Sequence, residues 1–321
     1  MTGERLLQVQ DLTVRYQTQM GETHAVSGVT FFVNKNEVFG IAGESGCGKS
    51  TLIRALMRLL PDNAKMSAQS IEYEGEELTR LSEAKFREKI LWARMSLVPQ
   101  SAMNSLNPVY RVGDQVVEAI QAHKNVSKSE ARERVTELFD IVGLQPDLMQ
   151  NFPHEFSGGM RQRAMIAMSL ALDPGLVVLV QERILRRIRE IRSQISSSII
   201  LITHDIAVIA EMSDRIAVMY GGQIMEQAPA NDLFDSPCHP YTLGLKNAFP
   251  SIRNLHQKLI SIPGSPPTLL GAPSSCPFQE RCPFSVEQCN QKNPENITIQ
   301  PLHEVRCVRH GEAPLLREKA S

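Results

Sequence analysis

The sequence has 321 residues, of which 42% are hydrophobic, and its 34 basic and 35 acidic residues give a formal net charge of −1. At roughly 150 residues per domain, this length predicts about two domains in a globular chain. The near-neutral charge argues against a general attraction to nucleic acid or to anionic lipid.

Membrane-spanning and secretory segments are not expected. The most apolar stretch, residues 164–180, is interrupted by Asp173 and Pro174 and falls short of the roughly 20 residues that span a bilayer. No apolar run with a small-residue cleavage site follows residues 1–5, so no signal peptide is predicted. The expected compartment is the cytosol, where the six cysteines would be free thiols or metal ligands and not disulfides.

The first 60 residues predict two strands and then a strand–loop–helix unit. Apolar residues alternate from Leu7 to Val14, and a second apolar run covers residues 29–33 beyond a polar turn at Gly21, which predicts antiparallel strands. The apolar run 38–42 is typical of a buried strand, and an amphipathic helix follows it after a glycine-rich loop.

The middle of the chain predicts a helical region and then a parallel sheet. Residues 115–172 are expected to be mostly helical, and Ser127 and Glu130 fit a capping box at the start of one helix. Three short apolar runs follow, and a helix is predicted between the first run and the second, which indicates parallel strands. These runs are residues 176–180, 199–202 and 216–219. From about residue 231 the composition shifts to proline and cysteine, which predicts a loop-rich accessory region.

The strongest motif is the glycine-rich loop between the predicted buried strand and helix. It fits the pattern Gly-x-x-x-x-Gly-Lys-Ser, in which backbone N–H groups and a helix N-terminus converge on phosphate. Lys49 would reach the β- and γ-phosphates and Ser50 would offer its hydroxyl to Mg²⁺, whereas Cys47 is interpreted as a small filler and not a nucleophile. The candidate nucleotide-binding residues are Gly43, Glu44, Ser45, Gly46, Cys47, Gly48, Lys49, Ser50 and Thr51.

A second motif, Ser157-Gly158-Gly159-Met160, opens the apolar helix at the end of the helical region. The serine and the following N–H groups could present a helix N-terminus to a phosphate, although the motif alone would indicate only an ordinary N-cap. Together with the glycine-rich loop, this motif resembles the signature of ATP-binding cassette (ABC) transporter ATPases.

Three further positions match this family in order and spacing, and the resemblance alone implies their roles. Gln100 is similar to the glutamine that contacts Mg²⁺ and couples to the transmembrane subunits. His204 is similar to the histidine that hydrogen-bonds the γ-phosphate, and Tyr16 to the aromatic residue that stacks on adenine. Residues 1–230 therefore resemble a whole ABC nucleotide-binding domain, with its helical subdomain at about residues 101–172.

Within the family, the sequence most resembles the ATPase subunits of oligopeptide and dipeptide importers. The similarity lies in residues 99–108 and 219–226 and in residues 239–242, His-Pro-Tyr-Thr, which begin the C-terminal extension of that subfamily over residues 231–321. The implied fold is an α/β P-loop ATPase core with an N-terminal antiparallel β subdomain, an inserted helical subdomain and a Pro/Cys-rich extension.

The same resemblance implies what the protein does and what it binds. The implied function is to energise peptide import with ATP and Mg²⁺, from a peripheral position on the cytoplasmic face of the inner membrane. The implied partners are two permease subunits, a second ATPase chain in a head-to-tail dimer, and indirectly an extracytoplasmic solute-binding protein. A soluble ABC protein acting on DNA or ribosomes is disfavoured, because the chain has one cassette and an importer-type extension.

The sequence departs from the family pattern after Leu179. There the family has an aspartate for Mg²⁺, a glutamate that polarises the attacking water, and a loop centred on Ala-Leu-Asp. Roughly ten residues of that pattern are absent between aligned flanks. Glu182, the nearest carboxylate, is expected to face away from the nucleotide. If the sequence is complete as written, the chain's own site should therefore be nearly inert.

Two interpretations of this departure stay open. In the first, the chain is a non-hydrolysing partner whose residues 157–160 complete a competent site on another chain. In the second, the sequence lacks a segment that the protein in the cell has, and the cellular protein is an ordinary ATPase. The flanking sequence is compatible with both.

Four cysteines form the third signal, with the spacing C-x5-C-x6-C-x17-C. Four thiolates can hold a tetrahedral zinc ion or a 4Fe-4S cluster, and simple buried thiols are a third possibility. The short Cys-x2-Cys pair of zinc ribbons is missing, which argues against zinc. Some peptide-importer ATPases carry a cluster on this extension, so the resemblance favours 4Fe-4S, while Cys238 has no partner at suitable spacing. The candidate cluster ligands are Cys276, Cys282, Cys289 and Cys307.

Overall fold

The computed structural model describes residues 3–99, 105–180, 195–248 and 262–320. The strands in these ranges are β1 (Arg5–Thr18), β2 (Gly21–Asn34), β3 (Val38–Ala42), β4 (Ala64–Ser67), β5 (Ser70–Tyr73), β6 (Glu76–Glu77), β7 (Met95–Val98), β8 (Leu176–Leu179), β9 (Ser198–Ile202), β10 (Arg215–Tyr220), β11 (Gln223–Pro229), β12 (Ile297–Gln300) and β13 (His303–Val305). The helices are α1 (Lys49–Leu56), α2 (Glu83–Lys89), α3 (Val112–Gln121), α4 (Lys128–Val142), α5 (Gly158–Ser169), α6 (Ile206–Met212), α7 (Ala230–Asp235), α8 (Pro240–Ala248), α9 (Glu287–Gln291) and α10 (Ala313–Ala320).

The chain divides into two compact units. The first unit contains Met1–Glu4 and Arg80–Leu201, and the second contains Arg5–Thr79 and Ile202–Ser321. Within the described ranges, every helix is too short or too polar to cross a bilayer. The glycine-rich loop and the cysteine-rich extension belong to the second unit, whereas residues 157–160 belong to the first.

The second unit begins with an antiparallel sheet, as the alternating apolar residues predict. β1 pairs with β2 in an antiparallel register from Arg5↔Asn34 to Thr18↔Gly21, and β4 and β5 pair with the other edge of β1. Side chains alternate across a strand, and a register shift between Val9 and Leu12 keeps the apolar residues on both sides of the shift in the core. The buried residues of β1 include Leu7, Val9, Leu12 and Val14.

A second sheet in the same unit positions the glycine-rich loop. β3 lies parallel to β10, β10 is antiparallel to β11, and the hairpin β12–β13 continues the sheet from β11. All residues of β3 are buried. A Cβ atom on Gly40 would lie 2.6 Å from the side chain of Ile209, so glycine allows α6 to pack closely on β3.

The extension is more ordered than the predicted loop-rich region. It contains α7 to α10 in addition to the β12–β13 hairpin, in which Thr298 faces Glu304. The hairpin pairs with β11 through Glu226↔Val305. The structure differs from the prediction because the edge of β11 that β10 leaves unpaired accepts a further strand. This tertiary pairing stabilises strands as short as three residues.

The first unit contains the predicted helical region and two of the three predicted parallel strands, β8 and β9, whereas the third, β10, belongs to the second unit. β7, β8 and β9 form a parallel sheet, and α3, α4 and α5 pack on one another. The Ser127 Oγ accepts from the Glu130 N–H (3.2 Å) and the Glu130 carboxylate accepts from the Ser127 N–H (2.7 Å), which confirms the capping box. The helix expected after β8 lies outside the described residues.

Candidate functional site

The glycine-rich loop spans residues 43–48, between the end of buried strand β3 and the start of α1. Gly43 and Gly48 have φ values of +144° and +104°, which residues with a side chain rarely adopt. A Cβ atom would lie 2.2 Å from the Met219 carbonyl oxygen at Gly43 and 2.2 Å from the Ala25 carbonyl oxygen at Gly48. Glycine at both positions therefore lets the loop pack directly against neighbouring backbone.

Lys49 is buried at the centre of this loop. Its Nζ donates to the carbonyl oxygens of Gly43 (2.6 Å) and Glu44 (2.8 Å) and contacts the Sγ of Cys47 (3.4 Å). Burial raises the pKa of the Cys47 thiol, so this thiol is protonated at neutral pH and suits a space-filling role. The loop thus surrounds one positive charge with its own carbonyl dipoles.

The outer side of the loop is open to solvent. Ser45, Gly46 and Ser50 are exposed, and Ser50 lies in the first turn of α1. The half-buried Tyr16 shares a hydrogen bond of 3.3 Å between its hydroxyl and the Oγ1 of Thr51. The structure therefore brings the expected adenine-stacking residue to the helix that starts at the loop.

Of the remaining candidate nucleotide-binding residues, the structure describes His204 but not Gln100. His204 is exposed between β9 and α6, and Asp205 caps α6 by accepting from the N–H groups of Ala207 and Val208. Gln100 lies outside the described residues, as do Glu182 and the rest of residues 181–194.

The Ser157–Met160 motif begins helix α5 in the first unit. The Ser157 Oγ accepts from the Met160 N–H (3.3 Å), so the serine is the N-cap, as expected. Gly159 is exposed, and a Cβ atom there would meet no other atom within 4 Å. Internal packing therefore does not require glycine at this position. The open space adjoins a helix N-terminus, whose partial positive charge favours an anionic group.

A contact that no sequence spacing reveals joins the extension to the glycine-rich loop. The guanidinium of Arg281 binds the Glu44 carboxylate through two hydrogen bonds, Nη1–Oε2 at 2.7 Å and Nη2–Oε1 at 3.1 Å. The Arg281 side chain is 7% exposed and also donates to the Pro263 carbonyl and the Tyr220 hydroxyl. The Tyr241 hydroxyl accepts from the Glu44 N–H at 3.0 Å. Two residues of the extension therefore hold the second residue of the loop.

An aromatic cluster supports this contact. The rings of Tyr220, Tyr241 and Phe278 lie 4.6 to 5.2 Å apart in tilted and edge-on arrangements. All three side chains are almost fully buried. Because Phe278 lies between Cys276 and Cys282, the same cluster connects the loop with the cysteine-rich segment.

The four cysteines of the extension line one cavity, which the spacing alone could not establish. Burial raises the pKa of Cys276, that of Cys282 to about 11 and that of Cys307 to about 12, so these thiols are protonated at neutral pH unless a metal replaces the protons. The four sulfur atoms are not arranged as ligands of a single ion. Among the described residues, the only three potential ligand atoms within 4.8 Å of one another belong to a different cluster.

That other cluster consists of Glu226, Cys238 and His303. The fully buried Glu226 carboxylate accepts from the N–H groups of Cys238 (2.7 Å) and His239 (3.0 Å), and it pairs with Nε2 of His303 (2.8 Å). Cys238 has no cysteine partner at suitable spacing in the sequence, but in the structure it lies beside Glu226 and His303, which the pairing of β11 with β13 brings together.

Two family patterns match the sequence. The pattern described as "ABC transporter" matches residues 26–179, and that described as "Oligopeptide/dipeptide transporter, C-terminal region" matches residues 225–289. The first match ends at the last residue of β8. This is the point at which the sequence departs from the expected pattern.

Several relatives align over almost the whole chain. The "Probable peptide ABC transporter ATP-binding protein y4tR" of Sinorhizobium fredii is 42% identical over 97% of this chain and 96% of its own length. The oligopeptide transport ATP-binding protein OppD of Escherichia coli is 41% identical over 91% of this chain and 90% of its own length. The dipeptide transport ATP-binding protein DppD of Bacillus subtilis is 40% identical, with coverages of 95% and 94%.

Solved structures share the fold. The dimeric structure of MJ0796, described as a bacterial ABC transporter cassette, is similar with a TM-score of 0.62 and 21% identity, covering 70% of this chain and 99% of that one. CbiO1 of Clostridium perfringens, described as part of the ABC transporter complex CbiONQ, also has a TM-score of 0.62, with 25% identity over 72% of this chain and 91% of that one. The described residues thus have the fold of an ABC cassette.

Proposed function

Because the chain belongs to the family of peptide ABC transporter ATP-binding proteins, we propose that it is the subunit that uses ATP to energise the import of peptides or similar small solutes. The main support is that one compact unit contains both the glycine-rich loop and the peptide-transporter-type extension, joined by the ion pair between Glu44 and Arg281. The division into a nucleotide-binding domain (residues 1–230) and an extension (231–321) belongs to this proposal.

In this function the glycine-rich loop binds the phosphates of ATP at the N-terminus of α1. The Lys49 ammonium turns from the loop carbonyls to the β- and γ-phosphates, and the exposed Ser50 hydroxyl binds Mg²⁺. Tyr16 stacks on adenine beside Thr51. Gln100 contacts Mg²⁺ and His204 the γ-phosphate, both on the basis of the resemblance.

We further propose that two ATPase chains form a head-to-tail dimer on two permease subunits, at the cytoplasmic face of the inner membrane. In that dimer, residues 157–160 of one chain meet the nucleotide bound to the loop of the other. The open space beside Gly159 and the helix N-terminus support this role, since both suit a phosphate that arrives from outside the chain. A solute-binding protein outside the membrane would deliver the peptide.

A second candidate function is a nucleotide-binding subunit that does not itself hydrolyse ATP. The supporting observation is that no aspartate or glutamate follows β8 before Glu182. In phosphoryl transfer the protein positions the water and the metal, so a site without these carboxylates binds ATP but turns it over slowly. The partner chain would then supply the hydrolysing site.

The proposed function is tested by isolating the chain from membranes of its own source in mild detergent. Two permease polypeptides are expected to copurify with it, and the complex in liposomes should accumulate labelled peptide when ATP is added. Copurification with ribosomes or DNA, and no membrane protein, would contradict the proposal.

Replacing Arg281 with methionine is expected to weaken MgATP binding about tenfold, or about 1.4 kcal/mol. The reason is that the Glu44 carboxylate, without its partner, repels the bound phosphates. The measurement is a titration with a fluorescent ATP analogue. The double variant R281M/E44Q should recover most of the affinity, because it removes the unpaired charge.

The matched control for this prediction is Arg317→Met. Arg317 is another arginine of the extension, which donates to the Pro237 carbonyl. Its replacement should leave ATP affinity unchanged. Equal loss of affinity in Arg281→Met and in the double variant would show that Glu44 is not the group through which Arg281 acts.

We propose that the cavity lined by the four cysteines holds a 4Fe-4S cluster. Each thiolate of such a cluster binds a different iron, so its sulfur ligands lie farther apart than the four ligands of a single zinc ion. The four cysteines line one cavity, and no three of their sulfur atoms lie within 4.8 Å of one another, which argues against a single ion; the cluster itself is inferred from the family resemblance. When bound, the cluster would crosslink the segments that carry its ligands.

Protein purified under strictly anaerobic conditions should therefore contain about four iron and four sulfide per chain. Cys289→Ser, which removes one buried cavity thiol, is expected to lose most of the iron. Cys238→Ser, outside the cavity, should retain it. Colourless, iron-free protein would contradict the cluster.

A further inference from the structure

We propose that Glu226, Cys238 and His303 form a binding site for a divalent transition-metal ion of the zinc type. This site is separate from the cavity of the four cysteines. One ligand atom from each residue lies within 4.8 Å of the other two. Around a tetrahedral zinc ion, with metal–ligand distances of about 2.0 to 2.3 Å, neighbouring ligand atoms are roughly 3.3 to 3.8 Å apart. Only small side-chain movements would therefore close the site on an ion.

Two of the three ligands are fixed by paired strands. Glu226 lies in β11 and His303 in β13, and the two strands pair directly. Glu226 is fully buried and His303 is 2% exposed. The carboxylate is further oriented by the N–H groups of Cys238 and His239. Such outer hydrogen bonds hold a carboxylate ligand in one orientation and increase the affinity of a metal site.

The third ligand lies on the accessible side. Cys238 is half-buried in the segment before α8, and its thiol makes a side-chain hydrogen bond with His303 and a weak hydrogen bond, of 3.4 Å, to the Ser236 carbonyl. An ion can therefore reach the site past this thiol, and a water molecule from the same side can supply a fourth ligand. A thiolate, an imidazole and a carboxylate together suit zinc, cobalt or nickel, whereas Ca²⁺ and Mg²⁺ prefer oxygen ligands alone.

Metal binding at this site is an exchange of protons for an ion. Without metal, the proton between His303 Nε2 and the Glu226 carboxylate links the two groups at 2.8 Å. The ion replaces this proton and the thiol proton of Cys238, and both are released to solvent. The Cys238 thiolate is the additional ligand that makes the exchange favourable, since the ion pair alone already satisfies His303 and Glu226.

The test is a Zn²⁺ titration of the full chain, purified anaerobically, in competition with a chromophoric chelator. We expect one equivalent of Zn²⁺ whose affinity falls by roughly 100-fold or more in Cys238→Ser and in His303→Gln. The matched control Cys282→Ser removes a thiol of the cysteine cavity and should leave this equivalent in place. Cys238→Ser keeps the backbone N–H bonds to Glu226, and its unfolding temperature checks that the fold is retained.

Co²⁺ provides a second readout, because a thiolate ligand gives cobalt a strong near-ultraviolet absorption. The band should be present in Cys282→Ser and absent in Cys238→Ser. Zn²⁺ affinity that is unchanged in both Cys238→Ser and His303→Gln, or lost only in Cys282→Ser, would overturn the site. So would the absence of measurable Zn²⁺ binding. These outcomes do not depend on whether the cysteine cavity holds iron or on whether the protein supports transport.

Discussion

Replacing Lys49 with alanine is expected to reduce the affinity for MgATP by roughly 100-fold. The Lys49 ammonium is the positive charge at the centre of the loop, and its carbonyl partners, on Gly43 and Glu44, show that its amine reaches the loop interior. Two charge-assisted hydrogen bonds to phosphate, of about 1.5 kcal/mol each, account for the expected loss. Titration with a fluorescent ATP analogue measures it.

The matched control is Lys85→Ala, which removes an exposed lysine from α2 and should leave the affinity unchanged. Thermal unfolding without nucleotide establishes that the Lys49 variant is folded, because the loop loses two internal hydrogen bonds in it. A folded Lys49→Ala protein with full affinity would remove the glycine-rich loop from the nucleotide site.

ATP hydrolysis by this chain alone is expected to be at least about 1000-fold slower than in a variant into which the missing family segment is inserted after Leu179. The inserted segment supplies the aspartate for Mg²⁺ and the glutamate that polarises water, neither of which follows β8 in this sequence. Phosphate release under saturating MgATP measures both proteins, and ATP binding should be similar in the two.

The background for this comparison is the Lys49→Ala version of each protein, which reports contaminating ATPase activity. Rapid hydrolysis by the unmodified chain that disappears in Lys49→Ala would show that another group supplies the catalytic carboxylate. In that case Glu182 is the first residue to replace, since it is the nearest carboxylate in the sequence. A denatured mass of the protein from its own source establishes whether the cellular chain contains the segment.

Local patterns predicted most of the fold. Each of three features depends on only a few neighbouring residues, and the structure has all three. They are the alternation in β1, the apolar strand β3 and the capping box of Ser127 and Glu130. The extension was harder to predict because β12 and β13 are only four and three residues long, too short to show a clear alternation of apolar and polar residues. They are stabilised by pairing with β11, a tertiary effect that local propensity does not contain.

The candidate sites likewise differ in whether a local motif or a tertiary contact creates them. The glycine-rich loop is contiguous, so its residues and their backbone requirements could be read from a single motif. Arg281 and Glu44 are 237 residues apart, and only the folded chain brings them into contact. Likewise, Cys238 meets His303 because two strands pair, and neither residue belongs to a motif with metal-ligand spacing.

The ion pair between Arg281 and Glu44 limits how freely this extension can be exchanged between ATPases. Arg281 is 7% exposed and its guanidinium reaches its carboxylate partner from the opposite end of the chain. A chimera that receives this extension on a cassette without glutamate at the second loop position would bury an unpaired guanidinium, at a cost of several kcal/mol. The two segments therefore have to be exchanged together to keep this charge paired, although the sequence separates them.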